Sequence, residues 1–413
     1  MMRSLFSGVS GLKSHQTRMD TIGNNIANVN TVGFKSSRTT FADTLSQTLT
    51  GASAPTGNLG GTNPKQIGLG TGVSSIDLLF TDGSVQSTGK NTDLCLSGNG
   101  LFVVKRGEET FYTRDGAFEF DAEGNYVLPG SGLFVQGWTT RDAEGNIATN
   151  SEPTNIKIQA GSSMAAQKTS KATYTGNLNA ETAKSTAITT TMTAYDSQGF
   201  KYSVPLLFTK TDNNKWEISV ANGGNIDHGG KAELSTTPTP ELEFNENGKY
   251  ESGKGTVELT ITTGAADTQN VTLDLTALTQ YANESTIHAE TDGHSSGTLS
   301  SVSIDNSGVI TGVYTNGVRQ AEAQVAVAQF SNASGLTKTG NSLYQESNNS
   351  GSANIKKASA LGCTITPSAL EMSNVDIANE FSDMIITQRG FQSNSKIITV
   401  GDEMLETMIN MKR

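Results

Sequence analysis

Apolar residues recur at helical spacing at the two ends of the chain. Near the N-terminus most steps between them are three or four residues, which is typical of an amphipathic helix. The apolar positions of this segment are Leu5, Val9, Leu12, Met19, Ile22 and Ile26. Asn24, Asn25 and Asn28 lie in its last turn, and Gly33, which follows, can adopt a positive φ. The pattern therefore predicts an N-terminal helix for which Gly33 marks the stop.

The C-terminal pattern is longer and more apolar. Seven of the eleven heptad a and d positions from residue 377 to 412 are apolar. They are Ile377, Phe381, Met384, Phe391, Ile398, Leu405 and Ile409. Ser373 offers an N-cap with an acid, Asp376, three residues on. The helix is predicted to begin there and to run for on the order of 50 Å.

The two terminal helices are predicted to pair as an antiparallel or bundled coil, because long heptad patterns at both ends of one chain need partners. Met404, Met408 and Met411 add a second apolar stripe to the C-terminal helix. That helix should carry more apolar surface than one partner covers, and the excess is expected to be buried against other subunits. The alternative is an ordinary helical hairpin in a globular core.

Between the helices the pattern changes to short strands separated by turns. LFVV (101–104), TFYT (110–113) and AFEF (117–120) have the composition of strands, and the turn sequence DAEGN occurs twice. Their aromatic side chains are assigned to a core and not to ligand stacking. They are Phe102, Phe111, Tyr112, Phe118, Phe120, Phe134 and Trp138.

The predicted fold class is α+β multidomain, with a terminal coiled-coil-like helical domain and nested, mainly antiparallel β domains. Residues 31–72 are rich in Ser, Thr, Gly and Asn and are predicted to be an extended connector that leans on its neighbours. The other predicted parts are a helical core domain (1–30 and 371–413), an inner β domain (73–151 and 301–370) and an outer inserted β domain (152–300).

Composition and charge exclude several functions. The chain has 413 residues and a net charge of -11, so it offers no basic patch for phosphate backbones, and nucleic-acid binding is not expected. None of its four histidines lies at zinc or catalytic spacing from a Cys or an Asp. The nearest approach to a metal cluster, His288 to His294, is interpreted as solvated surface. We predict no enzyme activity, no metal and no cofactor.

Cys95 and Cys363 lie far apart in sequence and show no metal-ligand spacing. They are predicted to be buried free thiols, and a disulfide between them is the alternative. The chain has no apolar run of the kind found in a cleaved signal peptide or a membrane span. It is therefore expected either in the cytosol or outside the cell by a route that needs no cleaved signal, without membrane insertion.

Three stretches of the sequence resemble the flagellar rod and hook family of axial proteins. TIGNNIANVNTVGFKSS (21–37) is similar to the family's N-terminal signature, and ALEMSNVD (369–376) opens a segment similar to its terminal helix. YTRDGAFEFDAEGNYVLPGSGLFVQGW (112–138) resembles the inner β domain of distal rod and hook proteins. Gly390 departs from the larger residue expected beside the QR pair, and is interpreted as a point of local flexibility. The signature residues are Asn24, Asn25, Asn28, Gly33, Phe34, Lys35, Gln388 and Arg389.

The resemblance implies a structural subunit of the flagellar hook, the curved, flexible tube that couples rod to filament and transmits torque. On this basis the apolar helix positions named above form the polymerisation core. The implied partners are further copies of the chain, the distal rod protein, the hook cap, the hook-filament junction protein and the flagellar type III export apparatus. Rod relatives are expected to be shorter and to lack the inserted domain. A rod or hook-associated axial protein, and an extracellular β-rich adhesin, remain as alternatives.

Overall fold

The computed structural model describes residues 2–55, 57, 60–142, 145–235, 240–262 and 268–411. Two long helices lie at the ends of the chain, α1 (Met2–Ala27) and α2 (Ile377–Met411), and the regular structure between them is almost entirely strand. The predicted α+β class is confirmed. Within the described part of the chain, neither helix has an apolar stretch long enough to cross a membrane.

The strands are numbered in chain order. Up to residue 159 they are β1 (Ser37–Asp43), β2 (Ser46–Thr50), β3 (Lys65–Gly68), β4 (Thr71–Leu78), β5 (Val85–Ser87), β6 (Leu94–Ser97), β7 (Leu101–Arg106), β8 (Glu109–Thr113), β9 (Glu119–Phe120), β10 (Tyr126–Leu128), β11 (Leu133–Trp138) and β12 (Thr154–Asn155). Then follow β13 (Ser163–Met164), β14 (Lys171–Asn179), β15 (Ala187–Tyr195), β16 (Lys201–Asp212), β17 (Lys215–Val220), β18 (Lys231–Leu234), β19 (Glu241–Phe244), β20 (Tyr250–Gly253), β21 (Thr256–Thr262), β22 (Thr268–Asp274), β23 (Leu278–Tyr281), β24 (His288–Thr291) and β25 (Gly297–Ile304). The last are β26 (Val309–Tyr314), β27 (Arg319–Val325), β28 (Val327–Gln329), β29 (Thr337–Gly340), β30 (Leu343–Gln345), β31 (Asn354–Lys356), β32 (Thr364–Pro367) and β33 (Ala369–Glu371).

The chain divides into two compact units. The first comprises residues 1–159, 302–311 and 320–413, and the second comprises residues 160–301 and 312–319. The first unit thus contains both ends of the chain, and the second is an insertion in it. The finer four-part division made from the sequence stays a prediction.

The first unit is built on an antiparallel sheet in which β27, β11, β7, β8, β30 and β29 are neighbours in that order. Strand β7 is apolar at consecutive positions because both of its faces are covered. Phe102 meets Phe118 edge to face at 5.2 Å between ring centroids, while Leu101 packs on the other side with Trp138. Five of the seven aromatic residues assigned to the core are buried, whereas Phe120 and Phe134 are half-exposed.

The second unit has two sheets around one core. One sheet has the order β18, β21, β22, β14, β23, with β24 also on β14, and the other has the order β15, β16, β17, β19, β20. Strand β16 alternates buried and less buried positions along its length, which is the period-two pattern of a strand with one covered face. Trp216 and Tyr174, from different sheets, share the core. Most pairs are antiparallel as predicted, but β14 pairs in parallel with β22 and β23.

One turn design recurs in both units. An Asp or Asn side-chain Oδ1 accepts the backbone N–H groups of the residues two and four positions later, and a glycine three positions later has positive φ. Only Gly adopts that left-handed conformation at no steric cost, which is why D-x-x-G sequences mark these hairpin turns. Examples described in full start at Asp121, Asp196, Asn245 and Asp305.

Helix α2 is capped by Asp376, not by Ser373. The Asp376 Oδ1 accepts the N–H of Ala378 at 2.9 Å and that of Asn379 at 3.3 Å, whereas the Ser373 hydroxyl accepts only the N–H of Val375. The sequence prediction therefore set the start of the helix one turn early. Both residues are good cap formers. Asp376 is the cap because the positive end of the helix dipole also stabilises its carboxylate.

Residues 37–78, here called the arm, differ from the predicted connector. β1 pairs with β4 and β2 pairs with β3, so most of the segment is a two-stranded antiparallel ribbon. The Ser and Thr content that suggested an irregular segment is compatible with strands, because Thr is β-branched. The arm has little core of its own: Leu45, Leu49 and Ile76 are all more than half exposed.

Candidate assembly surface

The terminal helices pair antiparallel, as predicted. Arg18 Nη2 lies 3.0 Å from the Asp383 carboxylate, and Asn25 Nδ2 donates to Glu380 at 2.9 Å. At the opposite end of the pair, Leu5 packs against Gly401. Residue numbers therefore increase along one helix where they decrease along the other, as in an antiparallel pair.

The face of α2 that contacts α1 consists mainly of small and polar residues, and the side chains of Ile397 and Ile398 also lie close to Gly8 of α1. Every seventh residue lies on it: Glu380, Thr387, Asn394 and Gly401. A Cβ added at Gly401 would meet Leu5 Cδ2 at 2.7 Å, and one added at Gly11 of α1 would meet the Asn394 amide at the same distance. The helices approach closely because these positions lack bulk.

Gly390 has the same role, which gives its lack of a side chain a packing reason, and its interpretation as a point of flexibility stays a prediction. The His15 ring lies against it, and a Cβ at residue 390 would meet His15 Cε1 at 2.7 Å. A larger residue would displace the imidazole from its place between the helices. This close approach accounts for the departure from the family pattern.

The predicted heptad positions coincide only in part with this contact face. Ile22 is buried and Leu5, Leu12, Met19, Ile26, Met384, Ile398 and Leu405 are partly buried. Val9, Ile377, Phe381, Phe391 and Ile409 are exposed. The assumption that the heptad positions face the other helix is therefore wrong for these five residues.

Helix α2 exposes apolar side chains on both sides of its contact with α1. On one side lie Ile377, Phe381, Ile385 and Phe391; on the other lie Ile386, Ile397, Val400, Met404, Met408 and Met411. Phe6 of α1 is also exposed, at 66% of its surface. So many exposed apolar side chains along one helix are unusual on a monomeric protein and mark an interaction surface. Gln388 and Arg389 are exposed on the same helix.

The N-terminal signature holds the end of α1 to the arm. Helix α1 ends at Ala27, six residues before Gly33. Asn25 is buried; its amide donates to Ser37 O at 2.9 Å and its Oδ1 accepts the Ser37 N–H at 3.0 Å, which fixes the first residue of β1. Asn24 and Asn28 bond to each other in the last turn.

Gly33 is required by a close approach and not by a helix stop. Its φ is 65°, and a Cβ there would meet the Asp115 backbone nitrogen at 2.5 Å. Its N–H donates to Glu371 O at 2.8 Å, and Phe34 beside it is buried. The signature turn therefore packs directly on the β region of the same unit.

Lys35 belongs to a buried ion network that sequence reasoning did not find. Its Nζ lies 2.7 Å from Glu371 Oε1, and Arg114 Nη1 lies 3.0 Å from Glu371 Oε2, with all three side chains at most 1% exposed. Asp82 is 3.4 Å from Arg114 and is partly exposed. Burial, then the nearby Arg114, lowers the Lys35 pKa, while Glu371 opposes this shift. The available signal was a charged residue in each of three motifs: Lys35 in GFKSS, Arg114 in YTRDG and Glu371 in ALEMSN.

Both cysteines are free and buried, as predicted. Burial raises the pKa of Cys95 to about 11, with the charge of Glu371 adding to the effect. The thiol is therefore protonated at neutral pH and inert. Among the described residues there is no group of three or more His, Cys, Asp and Glu side chains placed to hold a metal ion.

The His15 site should make the first unit sensitive to pH. The ring lies 5.7 Å from the Phe41 ring, and its Nδ1 is buried without a hydrogen-bond partner among the described residues. Burial, then Arg18, lowers the His15 pKa below its usual 6.5. The unfolded chain therefore binds the proton first, and stability present above pH 6.5 is lost as the pH falls through the folded-state pKa.

We expect the urea concentration at the unfolding midpoint of the first unit to be lower at about pH 5 than at about pH 7.5. His15→Gln should make this difference smaller. The measurement is urea unfolding in a Trp216→Phe background, followed by Trp138 fluorescence at both pH values. His288→Gln, a change at an exposed histidine of the second unit, is the matched control and should retain the full pH dependence. An unchanged pH dependence in His15→Gln would contradict the assignment.

The described geometry can be compared with known proteins. Four family models match: "Flagella basal body rod protein" over residues 5–35, "Flagellar hook protein FlgE/F/G D1 domain" over 95–166, "Flagellar basal body protein FlaE D2 domain" over 163–294 and "Flagellar basal body rod FlgEFG protein C-terminal" over 366–411. They fall on both terminal helices and on parts of both units.

Relatives match over the whole chain. The flagellar hook protein FlgE of Treponema pallidum is 41% identical, with 100% of each chain covered. The flagellar basal-body rod protein FlgG of Bacillus subtilis is 32% identical, also with 100% of each chain covered. The expectation that rod relatives are much shorter is wrong for this one. A crystal structure of the Helicobacter pylori flagellar hook protein FlgE2 matches with a TM-score of 0.52 at 15% identity, covering 70% of this chain and 100% of that one, so it supports the fold alone.

Proposed function

The chain belongs to the flagellar hook protein family, and on that premise we propose that copies of it assemble through their terminal helices into the hook. It is a structural subunit of the bacterial flagellar hook. The higher identity to a hook protein than to the rod protein, 41% against 32%, favours the hook over the rod. No observation in the described residues favours an adhesin.

The observation that carries the proposal is the uncovered apolar surface of α2. Because α1 packs on a face of small and polar residues, the isoleucine, phenylalanine and methionine side chains on either side remain for other copies. Burying such side chains stabilises contacts by about 1.5–3 kcal/mol each. In this proposal the polymerisation core consists of Leu5, Val9, Leu12, Met19, Ile22, Ile26, Ile377, Phe381, Met384, Phe391, Ile398, Leu405 and Ile409.

The arm has a bracing role in this proposal. A two-stranded ribbon is marginal in water when it stands alone, and the exposed apolar residues Leu45, Leu49 and Ile67 give it a surface to bury. Ser14 and Thr21 bind its base to α1 through hydrogen bonds to Thr71 and Thr39. We infer that its outer part packs on a neighbouring copy.

The proposal extends to the wider role of the subunit, which we infer from the role of the family. The assembled hook is a curved, flexible tube that joins rod to filament and transmits torque. Its subunit acts outside the cell, is exported by the flagellar type III apparatus without a cleaved signal, and meets the distal rod protein, the hook cap and the hook-filament junction protein. It has no catalytic role.

Electron microscopy of purified chain under assembly-promoting salt tests the core of the proposal. We expect tubes from the full chain and monomers from a chain that ends at Asp376, which keeps Glu371 and the ion network but lacks α2. Phe200→Asp is the matched control, because it removes an exposed apolar residue of the second unit. Tubes from the shortened chain, or a full chain that stays monomeric with or without preformed hook fragments, would contradict the proposal.

A further inference from the structure

A cleft with a volume of about 570 Å³ opens beside the end of α1 in the first unit. Its walls come from α1, the signature turn, the loop after β8 and the β29–β30 hairpin. The lining residues that bear on its chemistry are Asn24, Asn28, Phe34, Asp115, Lys338 and Asn341. The cleft is separate from the exposed faces of α2, and assembly through the helices makes no use of it.

Lys338 supplies the charge of this cleft. Its Nζ lies 3.9 Å from the centroid of the Phe34 ring, so a buried aromatic of the signature fixes the position of the ammonium. Partial burial lowers the Lys338 pKa. No carboxylate oxygen of the described residues lies within the 4.0 Å of an ion pair, in contrast to Lys35 and Arg114, which share Glu371.

Asp115 does not neutralise Lys338. Its Oδ1 accepts the N–H of Ala117 at 3.0 Å, and its carboxylate is beyond ion-pair distance of the Lys338 ammonium. The other polar lining groups include asparagine amides, which can donate to an anion. The cleft therefore holds the Lys338 cation and asparagine amides apart from its acidic lining residue, Asp115, which accepts the Ala117 N–H. The side of the cleft with the ammonium and the amides favours a carboxylate.

We propose that the Lys338 cleft receives a carboxylate side chain from a second copy of this chain. The inference rests on the proposed function, because it needs copies to meet. Charge complementarity selects the occupant: the chain has 40 acidic and 29 basic residues, so a neighbouring copy presents carboxylates in excess. Lys338 is exposed and can be reached by a neighbour. An ion pair that is desolvated on contact also orients one copy against the next.

The first test is the critical concentration for assembly. Lys338→Met keeps the side-chain stem over Phe34 and removes the charge, so we expect the critical concentration to rise about tenfold, the factor for one charge-assisted hydrogen bond. Lys356→Met, at an exposed lysine of β31, is the matched control and should assemble as the wild type does. Urea unfolding followed by Trp138 fluorescence should be unchanged in both variants.

The second test identifies the partner. Treating wild-type polymer with a water-soluble carbodiimide joins a lysine amine to a nearby carboxylate as an amide, with loss of water to the reagent. We expect mass spectrometry to find Lys338 joined to a carboxylate peptide between copies, shown as intermolecular by mixing isotope-labelled and unlabelled chains. Lys338→Arg keeps the charge and should assemble, but it should lose this crosslink.

The outcomes separate the two proposals. Polymer of Lys338→Met at the wild-type critical concentration, or a Lys338 crosslink only to Asp115 within one chain, would overturn the cleft assignment and leave the hook assignment intact. A wild-type chain that never assembles would overturn both.

Discussion

Replacing Phe391 with aspartate is expected to abolish assembly of the full chain while leaving its β structure folded. Phe391 lies midway along α2 and is 38% exposed, at the edge of one of the two apolar faces. Only the exposed part of Phe391 is left to bury on assembly, so the change loses less than the about 1.5–3 kcal/mol of a fully exposed side chain. The larger effect is the charge that it places where neighbouring helices should exclude water. In a polymer every copy bears this cost, so the critical concentration should rise at least about a hundredfold.

Sedimentation and electron microscopy measure this effect, and fluorescence of Trp138 and Trp216 reports that each unit is still folded. Thr189→Asp makes the same change of charge at a polar, exposed position of β15 in the second unit and should assemble close to normally. Tubes of normal appearance from Phe391→Asp at the wild-type concentration would disprove the assignment of this face to assembly.

Replacing Glu371 with glutamine should destabilise the first unit more than any single surface change. The variant leaves the buried cations of Lys35 and Arg114 with only the partly exposed Asp82 as an anionic partner. Removing one member of a buried ion pair costs about 3–5 kcal/mol, because the remaining charge stays desolvated. We expect the free energy of unfolding of the first unit to fall by about that amount.

Urea unfolding in a Trp216→Phe background measures this loss, since Trp138 then reports on the first unit alone. Glu109→Gln is the control in the same unit: Glu109 and Arg106 form an ion pair with both side chains more than 60% exposed, and such pairs contribute under about 1 kcal/mol. Equal losses in Glu371→Gln and Glu109→Gln would show that the network carries no special stability.

The sequence predicted the parts of the fold that depend on regular patterning. The spacing of Leu5, Leu12 and Ile26 and the longer pattern from Ile377 indicated both helices, because amphipathic periodicity survives in any context. The consecutive apolar residues of β7 and the DAEGN turn at Asp121 indicated strands and their connections for the same reason.

The contact between the helices could not be predicted from apolar periodicity. Thr387, Asn394 and Gly401 carry the contact through small size and shape, which no hydrophobic scale registers. Four of the seven heptad residues of α2, Ile377, Phe381, Phe391 and Ile409, are exposed. The rule that the most apolar stripe is the contact in a two-helix pair is therefore wrong for these four positions. The sequence of a chain that assembles encodes both the contacts within one copy and the contacts between copies.

The ion network was equally invisible to pattern analysis. Charged residues are usually solvated, so Arg114 and Glu371 appeared as surface positions within their motifs. Only the packing of the signature turn against the β region brings Lys35 to them. The arm was missed for the opposite reason, since its polar strands lack the apolar alternation of a strand with one buried face.

The network also sets an order of events in folding. Lys35 and Glu371 are 336 positions apart, so the contact closes a loop that contains the whole of the second unit. Loops of this length close at a large entropic cost, and long-range contacts slow the folding of the structures that need them. A chain emerging N-terminus first cannot complete its first unit until residue 371 is free, whereas the second unit has all its strands by residue 319. The insertion is therefore expected to fold early, and the surfaces that assemble are the last to mature.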